Sequence, residues 1–156
     1  MPQPRTKQLE LNGRKFDLRR LPPEVGSFIL MRMMGVQMRD QADREATKPI
    51  AAATVSAEKP VEISGEMRVR ALSFIVFSGA IDFADFKFIQ QHCMRCVALV
   101  TEAAGESFPM PIISDDGQWT KDGQAVADDV GLVMKLTTEV LILCFADFFE
   151  ADATGL

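Results

Sequence analysis

The chain has 156 residues, of which 47% are hydrophobic and 25% charged, with 11 Phe, 9 Met and three Cys against one Trp, one His and no Tyr. That length suits one domain, read as residues 1–156, with enough chain for a real core. The net charge of −5 is unevenly spread: residues 1–48 hold ten basic and six acidic groups (+4), residues 101–156 two basic and eleven acidic groups (−9). An acidic whole argues against nucleic acid as a partner, since phosphate contacts need clustered Lys and Arg.

No apolar h-region follows the N-terminus, and no run reaches the roughly 18 apolar residues of a membrane span. The odd cysteine count, without an export signal, points to reduced thiols in a cytosolic compartment. No membrane partner is expected.

Lys7 to Leu18 reads as a β-hairpin, because two alternating runs flank Asn12-Gly13. A type I′ turn needs positive φ at both central positions, which Asn and Gly tolerate. The two-residue turn sets Leu9 opposite Phe16 on one face and Glu10 opposite Lys15 on the other. Leu21-Pro22-Pro23 then leads into a helix from Pro23 to Met34, with Gly35 as a stop and polar helix formers to Ala46 as an extension.

Residues 47–65 lose periodicity and read as a flexible linker or arm. Glu66–Ser78 is apolar almost all round and reads as the central buried helix, stopped by Ser78-Gly79. Asp82 suits the N-cap of a third helix, read as running to about Ala103. Residues 104–122 read as irregular, with Met110–Ile113 as a short strand or packed loop. A last helix is expected from Gly123 or Ala125 to Glu150. The fold class is therefore mainly α: four to five helices in an irregular bundle, preceded by a short N-terminal β-hairpin.

Chemistry-bearing residues are few. His92-Cys93-x-x-Cys96 is the one arrangement resembling a reactive site. A Cys-x-x-Cys can activate a thiol or supply two zinc ligands, but the sequence has no second Cys pair and no second His. On an apolar helical stripe these cysteines read as small hydrophobes. Asp115-Asp116-Gly117 reads as a turn and Asp128-Asp129 as acid in the first turn of the last helix. No metal site, cofactor or catalytic set is expected, and the chain is read as a non-enzyme. At the C-terminus Leu141, Phe145, Phe148 and Phe149 crowd a short stretch, as core or as a patch for a partner's helix.

Phe16-x-Leu18-x-Arg20-Leu21-Pro22 after the Asn-Gly hairpin, with Phe145-Ala-Asp147-Phe148-Phe149 near the end, resembles tail assembly chaperones of long-tailed phages and prophages. The resemblance covers about fifty residues at the two ends; residues 47–65 look like an insertion peculiar to this chain. It implies a non-enzymatic factor of the host bacterial cytoplasm, absent from the mature virion. Such a factor binds the tape-measure protein, keeps it soluble and recruits major tail-tube subunits. A frameshifted longer form is common in such genes, and homo-oligomerisation is left open. The alternatives are a helical thiol enzyme of the alkylhydroperoxidase type, or a generic helical dimerisation or adaptor module. The excess of aromatic surface at the end of the last helix makes Leu141, Phe145, Phe148 and Phe149 the expected partner-binding residues, with Asn12 and Gly13 as the structural turn.

A β-branched residue resists positive φ, so Gly13→Val is expected to lower the free energy of unfolding by about 1 kcal/mol or more, read by urea denaturation.

Overall fold

The computed structural model describes residues 5–47, 64–79 and 81–153. Strands β1 (Thr6–Leu11) and β2 (Arg14–Arg19) form the expected hairpin, with Leu9 paired to Phe16 and Glu10 to Lys15. Asn12 (φ 52°) and Gly13 (φ 77°) take the left-handed conformation that the turn requires. Phe16 and Leu18 point from β2 into the core and are fully buried. The mainly α architecture holds, with five helices among the described residues: α1 (Pro23–Thr47), α2 (Gly65–Ser78), α3 (Phe83–Arg95), α4 (Lys121–Ala127) and α5 (Val130–Ala153).

The hairpin is one half of a larger sheet. After α3 the chain turns at Cys96 and enters β3 (Val97–Ala103), which returns as β4 (Glu106–Pro111). The four strands run antiparallel in the order β1-β2-β3-β4. The third helix therefore stops at Arg95 and does not reach Ala103. Apolar residues at 93, 97 and 100 suit a helical stripe, but Val97-Ala-Leu-Val also alternates, and a short apolar run is ambiguous by period alone. The decision is tertiary: β2 presents an edge on which Val97 pairs with Leu18 and Leu99 with Phe16.

Strand β4 lies where the sequence reads as irregular. Its turn, Ala104-Gly105, has positive φ at both residues (54° and 80°), although alanine is a poor marker of that conformation. Pro109 and Pro111 face Val100 and Ala98, alternate pairs whose backbone N atoms point away from β3. The sheet edge thus carries proline where no ladder bond is lost, and a further strand finds fewer donors there.

The centre of the bundle is α5, not α2. Leu136, Val140, Leu141, Ile142, Leu143, Phe145 and Ala146 are all buried, because α5 is covered by α2, α3, α4 and β2. Helix α2 covers it from outside and leaves Met67 57% and Phe74 74% exposed.

Caps explain the boundaries. Ser64 accepts from the Met67 N–H (3.2 Å) and opens α2. Asp82 accepts from the Asp85 N–H (2.8 Å) and opens α3, as expected. Thr120 accepts from the Gly123 N–H (3.0 Å), and Asp129 from the Leu132 N–H (3.1 Å). The expected last helix is thereby split in two at Asp128-Asp129. Gly35 does not end α1, which runs on to Thr47. The linker read over 47–65 is bounded by Thr47 and Gly65, and residues 48–63 lie outside the described residues.

Gly65 sits against α5 so closely that a Cβ there would collide with the Ala146 carbonyl oxygen, whereas a Cβ at Gly35 meets nothing within 4 Å. Gly65→Ala is expected to cost about 2 kcal/mol or more in chemical denaturation. Gly35→Ala should instead stabilise by up to about 1 kcal/mol.

Candidate functional site

The two ends of the chain meet. The segment Arg20-Leu21 and the first two turns of α1 pack against the last turns of α5 and leave a groove of about 300 Å³. Leu21, Gly26, Leu30, Phe145 and Phe148 line it. The Leu21 N–H donates to Cys144 Sγ (3.3 Å), and the Arg20 guanidinium lies 3.4 Å from Asp147 at the rim. A Cβ on Gly26 would touch the Leu21 Cβ (3.7 Å) and the Phe145 ring (3.9 Å), so the absent side chain keeps this space open.

The four residues singled out at the C-terminus separate into two classes. Leu141 and Phe145 are core residues, 0% and 5% exposed; Phe145 offers the groove its floor and Leu141 nothing. Phe149 is half-buried against the core, and Phe148 is 48% exposed, its ring stacked edge-on with Phe149 at 5.2 Å. A helix covered by other elements cannot present one apolar arc to a partner, so most of the aromatic excess is spent on folding. Leu30 carries no sequence signal for this surface and joins it because the start of α1 meets the end of α5, while Arg20 reaches it from the segment before α1.

The thiols are placed for packing. Cys93 is fully buried, and its burial pushes the thiol pKa well above the ordinary value. Burial, with the neighbouring Cys144, raises Cys96 from 9.0 to about 11, and burial also raises Cys144. His92, whose pKa is lowered by burial and then by Arg95, rests against the Phe88 ring at 4.3 Å. Cys96 Sγ donates to the His92 carbonyl oxygen (3.5 Å). A reactive thiol needs a low pKa and access, and this environment supplies the reverse.

One charged centre escapes the sequence reading. Glu139, on the otherwise apolar α5, is 7% exposed. Its carboxylate accepts from Arg70 of α2 (2.6 Å) and lies 3.5 Å from Lys7 Nζ of β1. Arg70 also reaches Glu66 (3.1 Å). Burial acts to lower the Arg70 pKa, but the bonds to Glu139 and Glu66 outweigh it and raise the value. These contacts tie β1, α2 and α5 together.

The acidic pairs are structural. Ser114 Oγ donates to Asp116 Oδ1, which also accepts from the Gln118 N–H (3.2 Å), and Gly117 has φ +83°, so the segment is a tight turn. Asp129 caps α5 and accepts from the Asn12 amide (3.3 Å), joining the hairpin turn to that cap. Among the described residues no three His, Cys, Asp or Glu side chains cluster as metal ligands, and no helix is long and apolar enough to cross a membrane.

Comparison with known protein families, curated proteins and solved structures gives no match for this chain.

The folded chain keeps the Cys96 proton that the unfolded chain releases above pH 9, so the stabilisation from Cys96 is complete below pH 9 and lost as pH rises through about 11. Urea unfolding at stepped pH should show a fall of which about 2 kcal/mol comes from Cys96, and Cys96→Val should make the slope shallower by that share. Cys93 should resist aromatic disulfide reagents until the protein is unfolded.

Proposed function

We propose that this protein is a non-enzymatic tail assembly chaperone of the long-tailed phage type. It binds the tape-measure protein, keeps it soluble and recruits tail-tube subunits during morphogenesis. It acts in the host bacterial cytoplasm and leaves before the virion is complete.

One observation carries the reading: the opening and closing motifs that bear the resemblance, far apart in sequence, build a single groove. Arg20-Leu21 from one and Phe145, Asp147 and Phe148 from the other face each other across it. An apolar floor with an Arg–Asp pair at the rim suits an amphipathic helix laid into the groove, its anchors filling the apolar part. The tape-measure protein is a long helical chain with apolar faces, which need cover until the tube closes around it. Phe148 is the anchor on the chaperone's side, because it alone of the four C-terminal residues is both apolar and largely open.

The thiol-enzyme reading is disfavoured by the burial of Cys93 and by raised pKa values at all three cysteines. A generic dimerisation module differs in what fills the groove: a second copy in place of a tail protein.

Phe148→Ser tests the proposal, since the exposed ring can be removed with little loss of core. Co-expressed with the tape-measure protein, the variant should fold with an unchanged circular dichroism spectrum yet lose affinity about tenfold or more. The tape-measure protein should then move to the insoluble fraction. An equally soluble tape-measure protein beside folded Phe148→Ser chaperone would sink the assignment of this groove.

A further inference from the structure

The two edges of the sheet are not alike. In a two-residue hairpin the residues flanking the turn bond to each other, and the bonding alternates from there. Leu11, Leu9 and Lys7 of β1 therefore bond to Arg14, Phe16 and Leu18, while Thr6, Gln8 and Glu10 turn their N–H and C=O groups outward. All three residues are exposed, and among the described residues these outward groups have no partner. By the same alternation β4 turns out Ser107, Pro109 and Pro111, and of these Ser107 alone carries an N–H.

A row of unpaired strand groups is a template for another strand. Between copies of this chain, a joint of β1 on β4 or of β4 on β4 leaves ladder bonds unmade at the prolines. A joint of β1 on β1 loses none. The first kind of joint would also propagate without end, whereas β1 on β1 is isologous and closes at a dimer.

We propose that β1 pairs antiparallel with β1 of a second copy, about a two-fold axis through Gln8 and normal to the sheet. Gln8 then faces Gln8, and Thr6 faces the second copy's Glu10, so every outward N–H and C=O of Thr6, Gln8 and Glu10 is met. Centred on Leu9 instead, the joint would set Thr6 opposite Asn12, which belongs to the turn. The Gln8 register opposes no like charges. Lys7, held by Glu139 at 3.5 Å, meets the second copy's Leu9, and its stem can cover that half-buried side chain. Arg5 meets Leu11, and the Glu10 carboxylate meets a threonine hydroxyl. The joint shares no residue with the α1–α5 groove and stands whatever fills that groove.

Sedimentation velocity and amide exchange of the full chain over a concentration series test it. A dimer should form, and the N–H groups of Thr6, Gln8 and Glu10 should gain protection as it does. Gln8→Pro copies into β1 what Pro109 and Pro111 do in β4: it removes an outward donor and no bond to β2. It should weaken the dimer at least about tenfold with an unchanged circular dichroism spectrum. Gln8→Glu and Gln8→Lys each set like charges on the axis. Either alone should dimerise at least about tenfold more weakly, and an equimolar mixture of the two should recover the dimer. These exposed-site variants carry the test should Gln8→Pro fail to fold. A chain monomeric throughout, a dimer untouched by the Gln8 variants, or charge variants that mixing does not rescue overturns the inference. So does protection of the Gln8 and Glu10 N–H groups that appears only with the tape-measure protein, since the edge then takes a foreign strand. Phe148→Ser should leave the dimer intact, so failure of the tape-measure reading and failure of this one are told apart. A dimer that Phe148→Ser dissolves and Gln8→Pro does not would lie in the groove and sink the edge joint.

Discussion

Burial of α5 is the constraint on which the rest of the structure depends. A segment that is apolar on every side must be covered on every side, and each fully buried Leu, Val or Phe contributes about 1.5–3 kcal/mol. Helix α2 lies along one flank, so close at Gly65 that no side chain fits between, and α3 and the inner face of β2 cover others. The sheet exists for the same reason. Phe16 and Leu18 complete the cover over the helices, and β3 extends that layer by pairing with β2.

Among the described residues Glu139 is the buried acidic side chain within this cover, and its partners link the outer layers. A buried carboxylate is costly unless cations and hydrogen bonds compensate it. Glu139 finds Arg70 on α2 and Lys7 on β1, and both cations keep a share of solvent. These contacts add direction to the apolar packing of the hairpin and α2 on α5. The Asn12–Asp129 bond adds a second tie between the hairpin turn and the start of α5.

The functional surfaces follow from what this packing leaves over. Where the start of α1 meets the end of α5, Gly26 puts no side chain into the groove, and Phe148 stays half outside. Helix α1 packs against α2 and sets Phe28 edge-on to Phe88 of α3, while Met31 and Met38 stay exposed. The thiols, the acidic turn and the capping aspartates are all consumed by the fold. Among the described residues the exposed large apolar side chains lie mostly on helices, with Phe108 and Met110 on β4.

Local chemistry was legible in the sequence. The Asn12-Gly13 turn, the Leu9–Phe16 register, the Asp82 cap and the proline start of α1 each rest on a few adjacent residues. Such features require no knowledge of distant neighbours. Boundaries and layers were not legible where two local readings compete: Val97–Ala103 fits a helix or a strand until β2 offers an edge, and the last helix breaks at Asp129 because that carboxylate turns back to cap. The site was half legible. Aromatic excess marked the C-terminus, but only the packing of α5 under the other elements decided that Leu141 and Phe145 would be buried, that Phe148 would stay open, and that Arg20 would face Asp147. Turn and cap energies are set within a few residues, whereas burial belongs to whichever elements the whole chain brings together.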